Sequence, residues 1–290
     1  MSWSYRFAGL LFESALPIPE WDGFSCDDLQ LQPDVRIALA STSDDSRDGE
    51  YRLSVPDVAT FQVRAGRDIV VTPAAGVDAA LIRVYLLASV LAALFCQRGL
   101  LLLHASVVRV RDRTVALCGP TGAGKSTLAA ALVTRGGEFV CDDLGRFDVS
   151  NGRAVVYPST PRLKLCADSL APLAWPTDGL ARIHASAVKF HVRQTHRDGS
   201  SPVPLDAIYV LEWADGLVAA TPLTGLVALR HLVAAATYRP SMLETPQRRA
   251  AHWKQCAAVA ARARIYALKR PQSWAAISEA TDLIGRLCLR

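Results

Sequence analysis

The sequence predicts an α/β protein: a phosphate-loop domain preceded by a smaller β-rich region. Three observations predict it. Gly119-Pro120-Thr121-Gly122-Ala123-Gly124-Lys125-Ser126 fits G-x-x-x-x-G-K-[ST], the loop that wraps nucleotide phosphates. An apolar run, Thr114 to Cys118, reads as a buried strand entering that loop, and Ser126 to Arg135 reads as a helix leaving it, closed by Gly136-Gly137. Beyond the helix, Glu138 to Cys141 reads as a short strand that ends in Asp142-Asp143.

The first third reads β-rich. Candidate strands are Tyr5 to Glu13, Val35 to Ala40, Tyr51 to Val55, Thr60 to Arg64 and Asp68 to Thr72, separated by turn-rich breaks such as Pro17-Ile18-Pro19 and Ala65-Gly66. Ser43 to Asp48 reads as a solvated polar loop. From Val77 to Gln97 the apolar residues recur at helical spacing, and Gly99 ends the pattern. Within it, Val84 to Cys96 is apolar but shorter than the roughly 20 residues that span a bilayer, which predicts a core helix and no membrane partner. The expected division is therefore residues 1–97 and 98–290.

The second part opens on a strand, Leu100 to Arg111, that carries His104 and turns at Asp112-Arg113 into Thr114 to Cys118, a hairpin feeding the loop. After the loop helix and the Glu138 strand, Phe147 to Val149 and Arg153 to Tyr157 form a second hairpin about Asn151-Gly152. Val188 to Val192 and Ala207 to Trp213 read as strands. The tail reads as helices Leu226 to Ala236 and Pro246 to Ala263, a strand Ile265 to Leu268 and a last helix from Ser273. Pro246 suits a first helical turn, where its missing N–H costs nothing.

Composition narrows the function classes. The chain of 290 residues is 51% hydrophobic and 20% charged, which describes a globular protein with a sizeable core. Its 32 basic and 27 acidic residues leave a mild +5 that suits phosphate-bearing or acidic partners and is too dispersed for nucleic acid. Seven scattered cysteines (26, 96, 118, 141, 166, 256, 288) form no C-x-x-C pair, and no secretory signal opens the chain. Reduced thiols and a cytoplasmic location are expected.

Chemistry gathers round the loop. Glycines let successive backbone N–H groups cradle anionic oxygens, Lys125 reaches the β- and γ-phosphates, and the Ser126 hydroxyl ligates Mg²⁺. The predicted nucleotide-binding residues are Gly119, Pro120, Thr121, Gly122, Ala123, Gly124, Lys125, Ser126 and the next residue, Thr127, with ATP and Mg²⁺ as cofactors. A strand directly after the loop helix brings its C-terminal acids to the γ-phosphate. One of Asp142 and Asp143 could orient the metal and the other accept a hydroxyl proton. His104, flanked by Leu103, fits a core histidine, or an imidazole that tunes a neighbouring carboxylate or contacts the phosphoryl group. Arg162, Lys164, Lys189 and Arg193 are candidates for neutralising phosphate or an acidic peptide terminus, against the alternative of solvated surface charge. His184, His191 and His196 share one stretch but lack a metal-ligand spacing.

The run Leu103-His104-Ala105-Ser106-Val107-Val108, the loop and the segment Arg135 to Asp143 together resemble the catalytic domain of HPr kinase/phosphorylase. Tyr157-Pro158 to Leu165, Lys189-Phe190, Pro204 to Leu211 and the region about Tyr266-Ala267-Leu268 are similar to a shorter branch, the HPr-kinase-like proteins of lasso-peptide biosynthesis. The resemblance implies a mixed sheet with helices, and an ATP-dependent kinase acting on a serine hydroxyl of a precursor peptide. By position it makes Asp142 the general base, Asp143 the metal-side acid, Lys125 and Ser126 the phosphate and Mg²⁺ residues, and His104 the partner of Asp142. HPr kinases assemble into rings, so a homo-oligomer is one form the resemblance allows.

The chain also departs from that pattern. Where the family has Glu-Ile-Arg-Gly, with a metal-holding Glu, this chain has Pro161-Arg162-Leu163-Lys164-Leu165; Asp168 is the nearest carboxylate. No counterpart of the phosphorolysis loop is found, so neither a reverse reaction nor HPr itself as substrate is expected. A small-molecule kinase and a nucleotide-gated regulatory protein are the rival readings.

Overall fold

The computed structural model describes residues 2–26, 31–42, 49–176, 180, 189–195, 201–237, 240–243 and 245–289. The expected loop at 43–48, and His184 and His196, lie outside them. The chain forms two compact units, one of Met1–Leu101 with Asp198–Ser201 and Arg239–Ala251, the other of Leu102–Arg197, Pro202–Tyr238 and His252–Arg290. The division thus falls at Leu101 where the sequence suggested Gln97, and it returns a later stretch to the first unit.

The first unit carries one mixed sheet of β1 (Trp3–Phe7), β2 (Leu10–Ser14), β3 (Val35–Leu39), β4 (Tyr51–Val55), β5 (Ala59–Arg64) and β6 (Asp68–Pro73), in the order β1-β2-β3-β6-β5-β4. The single strand expected from Tyr5 to Glu13 is a hairpin, because Ala8 and Gly9 both take positive φ (49° and 74°) and reverse the chain. The proline-rich break continues into a short 3₁₀ helix, Pro19–Phe24, which delivers Trp21 into full burial. There it stacks on Phe7 at 4.4 Å and meets Phe12 edge-on. The helix is continuous through α1 (Ala79–Tyr85), a π turn (Leu86–Val90) and α2 (Leu91–Gln97). At 19 residues it is longer than the apolar core read from the sequence and could cross a membrane by length and composition. Half of its most apolar window is nevertheless buried within the protein, with Leu86, Val90 and Leu94 fully so.

The second unit is built on β7 (Leu101–Leu103, from Leu102 onward), β8 (Ala105–Val110), β9 (Arg113–Cys118), α3 (Lys125–Thr134), β10 (Glu138–Cys141), β11 (Gly145–Ser150), β12 (Arg153–Val156), β13 (Arg162–Cys166), α4 (Ala167–Leu170), β14 (Lys189–Arg193), β15 (Val203–Pro204), β16 (Ala207–Trp213), β17 (Ala219–Leu223), α5 (Gly225–Ala236), the part of α6 (Pro246–Ala260) from His252 onward, β18 (Arg264–Arg270) and α7 (Trp274–Leu287). Its main sheet runs β10-β8-β9-β16-β18-β17. Strands β9, β16 and β18 are parallel, and β10 joins through the antiparallel β8, so β10 points the same way as β9. Asp206 secures the far end of this sheet. Its carboxylate accepts from the Thr114 amide and the Arg113 guanidinium, both at 2.9 Å.

The strand expected from Leu100 to Arg111 is broken at His104. Its first piece, β7, belongs to a second sheet (β15-β12-β11-β7), and its second, β8, belongs to the main one. His104 therefore sits at a change of sheet, which frees its side chain from strand alternation. The hairpin turn falls at Arg111-Asp112, one residue early, with Arg111 at φ 56°.

Helix α3 lies on the main sheet and on α7, with Leu128, Ala129 and Leu132 buried in a core that includes Leu117, Phe139 and Ile284. Its end is a Schellman turn: the Gly136 amide bonds to Val133 O and the Gly137 amide to Leu132 O, with Gly136 at φ 89°. Gly137 has no room for more. A Cβ would meet Val108 Cγ1 at 2.8 Å and Leu132 O at 2.9 Å. Gly137→Ala is accordingly expected to destabilise the second unit by about 1–3 kcal/mol, read from urea denaturation; an unchanged midpoint would show that the turn relaxes freely.

Candidate active site

The phosphate loop joins the C-terminal end of β9 to α3. Gly119, Gly122 and Gly124 all take positive φ (144°, 86° and 80°), which explains glycine at these places. Gly124 caps α3 without any side-chain hydrogen bond, so the first amides of the helix are left for an anionic ligand. The Lys125 ammonium folds back to donate to Gly119 O (2.9 Å) and Pro120 O (3.1 Å). Burial pulls its pKa below the usual lysine value.

Asp142 follows β10 directly. A register shift between Phe139 and Cys141 bulges the strand just ahead of it. Its carboxylate is buried and accepts three hydrogen bonds, from Ser106 Oγ on β8 (2.5 Å), Ser126 Oγ on α3 (3.0 Å) and the Lys164 amide on β13 (2.9 Å). Burial raises its pKa, against the opposing pull of these donors.

Asp143 takes φ 74°, and the Leu144 amide bonds back to Asp142 O at 3.1 Å. The chain thus makes a γ-turn centred on Asp143, of the rare strained sign. This turn breaks the strand alternation that would have sent the second acid to the opposite face. Asp143 meets His104 Nε2 at 3.3 Å and forms an ion pair with the Lys164 ammonium. Burial alone would raise its pKa, but the hydrogen bonds and charges of His104 and Lys164 outweigh it and hold the carboxyl well below the usual range.

Strands β13 and β14 form a two-stranded sheet beside the acids. Register sets Arg162 opposite Arg193, Lys164 opposite His191 and Cys166 opposite Lys189. Five basic side chains therefore share one face, while Leu163, Leu165, Phe190 and Val192 turn the other way into the core around α3.

Ser126 and Asp142 offer two hard oxygen donors in contact, which fits Mg²⁺, an ion that takes few protein ligands alongside phosphate oxygens and water. Among the described residues, no group of three or more His, Cys, Asp or Glu could hold a metal by itself. Asp168 is exposed on α4, and Thr127 shares a hydrogen bond with Ser169 (3.1 Å).

Ser126, Lys125, His104, Asp142 and Asp143 thus come together at one end of the second unit. Two pairings differ from those implied by resemblance: Ser126 touches Asp142, and His104 touches Asp143. Two contributors, Ser106 and Arg270, escaped the sequence reading, and a third, Lys164, takes a partner it did not name. Ser106 faces the site from a strand that looked merely apolar. Lys164 reaches a carboxylate where a phosphate partner was considered. Arg270, 1% exposed, lies against the loop, with its guanidinium donating to Ala123 O (3.0 Å) and lying 4.3 Å over the Trp213 ring. A positive charge ending an apolar strand, Ile265 to Leu268, was the one available hint of it.

No protein-family model matches the chain, and no curated protein matches it. Among solved structures, the Hpr(Ser) kinase/phosphatase from Coxiella burnetii is a neighbour with a TM-score of 0.33 and 13% identity, over 65% of this chain and 97% of that one. A likeness that low carries neither an activity nor a substrate to this chain.

The two acids should titrate apart. The depressed Asp143 stabilises the fold above its unfolded pKa, about 3.9, and this contribution is lost as pH falls through its folded value. Asp142 has the opposite sign: protonation favours the folded state, so its penalty grows as pH rises from the unfolded value through the raised folded one. Carboxyl-carbon NMR should place Asp143 below and Asp142 above the ordinary value, and His104→Ala should move Asp143 upward. Titration in the reverse order would contradict the site as described.

Proposed function

We propose that the second unit is an ATP- and Mg²⁺-dependent kinase that transfers the γ-phosphoryl group to a serine hydroxyl of a peptide. One observation carries the reading: two adjacent carboxylates beside the phosphate loop have different partners, Ser126 for Asp142 and His104 with Lys164 for Asp143. A protein that only holds nucleotide has no need of the second, ionised carboxylate.

In this reading Lys125 and the loop amides hold the β- and γ-phosphates. Ser126 and Asp142 would hold Mg²⁺, which supplies charge neutralisation on the phosphate oxygens. Asp143, kept ionised by His104 and Lys164, accepts the proton of the serine hydroxyl. The serine O–H bond breaks, its oxygen bonds to the γ-phosphorus, the bond from that phosphorus to the β-phosphate oxygen breaks, and ADP leaves. The roles of the acids are thus exchanged relative to those implied by the family resemblance, because each is assigned by the group it touches. His104 acts as a positioning residue for Asp143.

The basic face of β13 and β14 supports an acceptor with acidic groups near its serine. A lasso-type precursor peptide is the finer reading, resting on the similar segments Tyr157 to Leu165 and Pro204 to Leu211. Seven unpaired cysteines support a cytoplasmic setting.

Mass spectrometry of serine-ending peptides incubated with the protein, ATP and Mg²⁺ should find phosphate on the serine and none on the alanine-ending control. Asp143→Asn is expected to lower kcat by about 10²–10⁴-fold while ATP still binds. Asp142→Asn should raise the Mg²⁺ concentration needed for half-maximal rate. ATP binding with no transfer to any hydroxyl would leave a nucleotide-gated regulator instead. Loss of kcat in Asp142→Asn with an unchanged Mg²⁺ requirement would return the base role to Asp142.

A further inference from the structure

The end of the second unit opposite the phosphate loop holds a recess of about 370 Å³. The β8–β9 turn, the end of α3 and the last turns of α7 enclose it. Helix α3, roughly 15 Å long, separates it from the loop. Arg111, Arg135 and Arg286 line it, with Asp282 as the one acid among its lining residues. We propose that this recess binds a small organic anion with two or more oxyanion groups, phosphate or carboxylate, held between Arg111 and Arg286. The site does not depend on the nucleotide reading above.

The charges on the recess do not cancel. Asp282 is already engaged: the Arg135 guanidinium donates to it, and to Ser278 Oγ at 2.6 Å. Asp112, next to Arg111 in the turn, lies 3.7 Å from the Arg109 guanidinium. Among the described residues, neither Arg111 nor Arg286 has a carboxylate partner. Two guanidinium groups on two different walls raise the positive potential between them. Each carries a planar fork of donors that matches a phosphate or a carboxylate bidentately. Val110, Leu132 and Leu289 add apolar surface that suits a short carbon skeleton.

The backbone supplies a separate observation. Two lining residues run against local preference. Arg111 takes φ 56° at the first position of a two-residue hairpin turn, a place that favours glycine or asparagine. Arginine there costs conformational energy, and no ion pair within the described protein offsets it. Gly285 lies within α7, where glycine is unfavourable, yet nothing stands within 4 Å of the Cβ it lacks. Packing therefore does not demand glycine at this place. Each residue costs the fold something and serves the recess: Arg111 sets a cation at its rim, and Gly285 keeps its α7 wall clear.

Calorimetry on the full chain, with and without ADP and Mg²⁺ to fill the phosphate loop, tests the site. Citrate serves as the carboxylate probe and 2,3-bisphosphoglycerate as the phosphate probe. At least one should bind about tenfold or more tightly than acetate or inorganic phosphate, with or without ADP, and the tighter of the two identifies the oxyanion. Arg111→Gly and Arg286→Gln should each weaken that probe about tenfold, and Gly285→Leu, which fills the recess, should do the same. Without any probe, Arg111→Gly and Gly285→Leu should raise the melting temperature, because each removes an unfavourable local choice. Failure of both probes to bind the wild type, or binding that the three variants leave unchanged, would overturn the site. Binding that ADP abolishes would belong to the phosphate loop and would overturn it too. A melting temperature lowered by both Arg111→Gly and Gly285→Leu would show these residues serving the fold, with the same consequence.

Discussion

The Asp142 carboxylate is the joint on which the second unit's chemistry depends. It is a buried negative charge held by donors from β8, α3 and β13, that is by Ser106, Ser126 and the Lys164 amide. Desolvating a carboxylate is costly, and three donors offset that cost only while all three elements stay in place. The charge therefore fixes the phosphate-loop helix, the hairpin ahead of it and the basic sheet beside it relative to one another. Were Asp142 replaced by an apolar residue, Ser126 would lose the contact that orients its hydroxyl.

Sheet topology puts that joint where chemistry is useful. Strand β8 lies between β9 and β10 and runs against both, so the loop after β9 and the acids after β10 leave the sheet at the same edge. Trp213 and Arg270, at the ends of β16 and β18, leave it there too. One edge thus gathers carboxylates on one flank of the loop and an aromatic, cationic wall on the other. The γ-turn at Asp143 completes the first flank, because strand alternation alone would have pointed the second acid away from the first.

How far the sequence disclosed this follows from where each constraint resides. The phosphate loop was legible because positive φ at Gly119, Gly122 and Gly124 demands glycine, and that demand leaves a pattern in the letters. Strands β10 and β16 matched their expected bounds because each holds a continuous apolar run, Phe139 to Cys141 and Ala207 to Leu211, flanked by polar residues. The Ala8-Gly9 reversal was hidden because alanine at positive φ carries no signature. The break at His104 was hidden because a change of sheet is decided by distant strands, not by Leu103 or Ala105. The proximity of both acids to the loop was readable from chain order. Their division of partners was not, since it depends on a bulge and a γ-turn. Arg270 was out of reach because 147 positions of sequence separate it from Ala123, the loop residue it bonds to.

The most direct test of the central claim is to locate the metal. A crystal structure with a non-hydrolysable ATP analogue and Mn²⁺, its position fixed by anomalous scattering, should show the ion bound beside Ser126 Oγ on the Asp142 side. Asp143 should remain against His104 and face the open space in front of the γ-phosphate. A metal ligated by Asp143, or a terminal phosphate out of reach of both acids, would contradict the account.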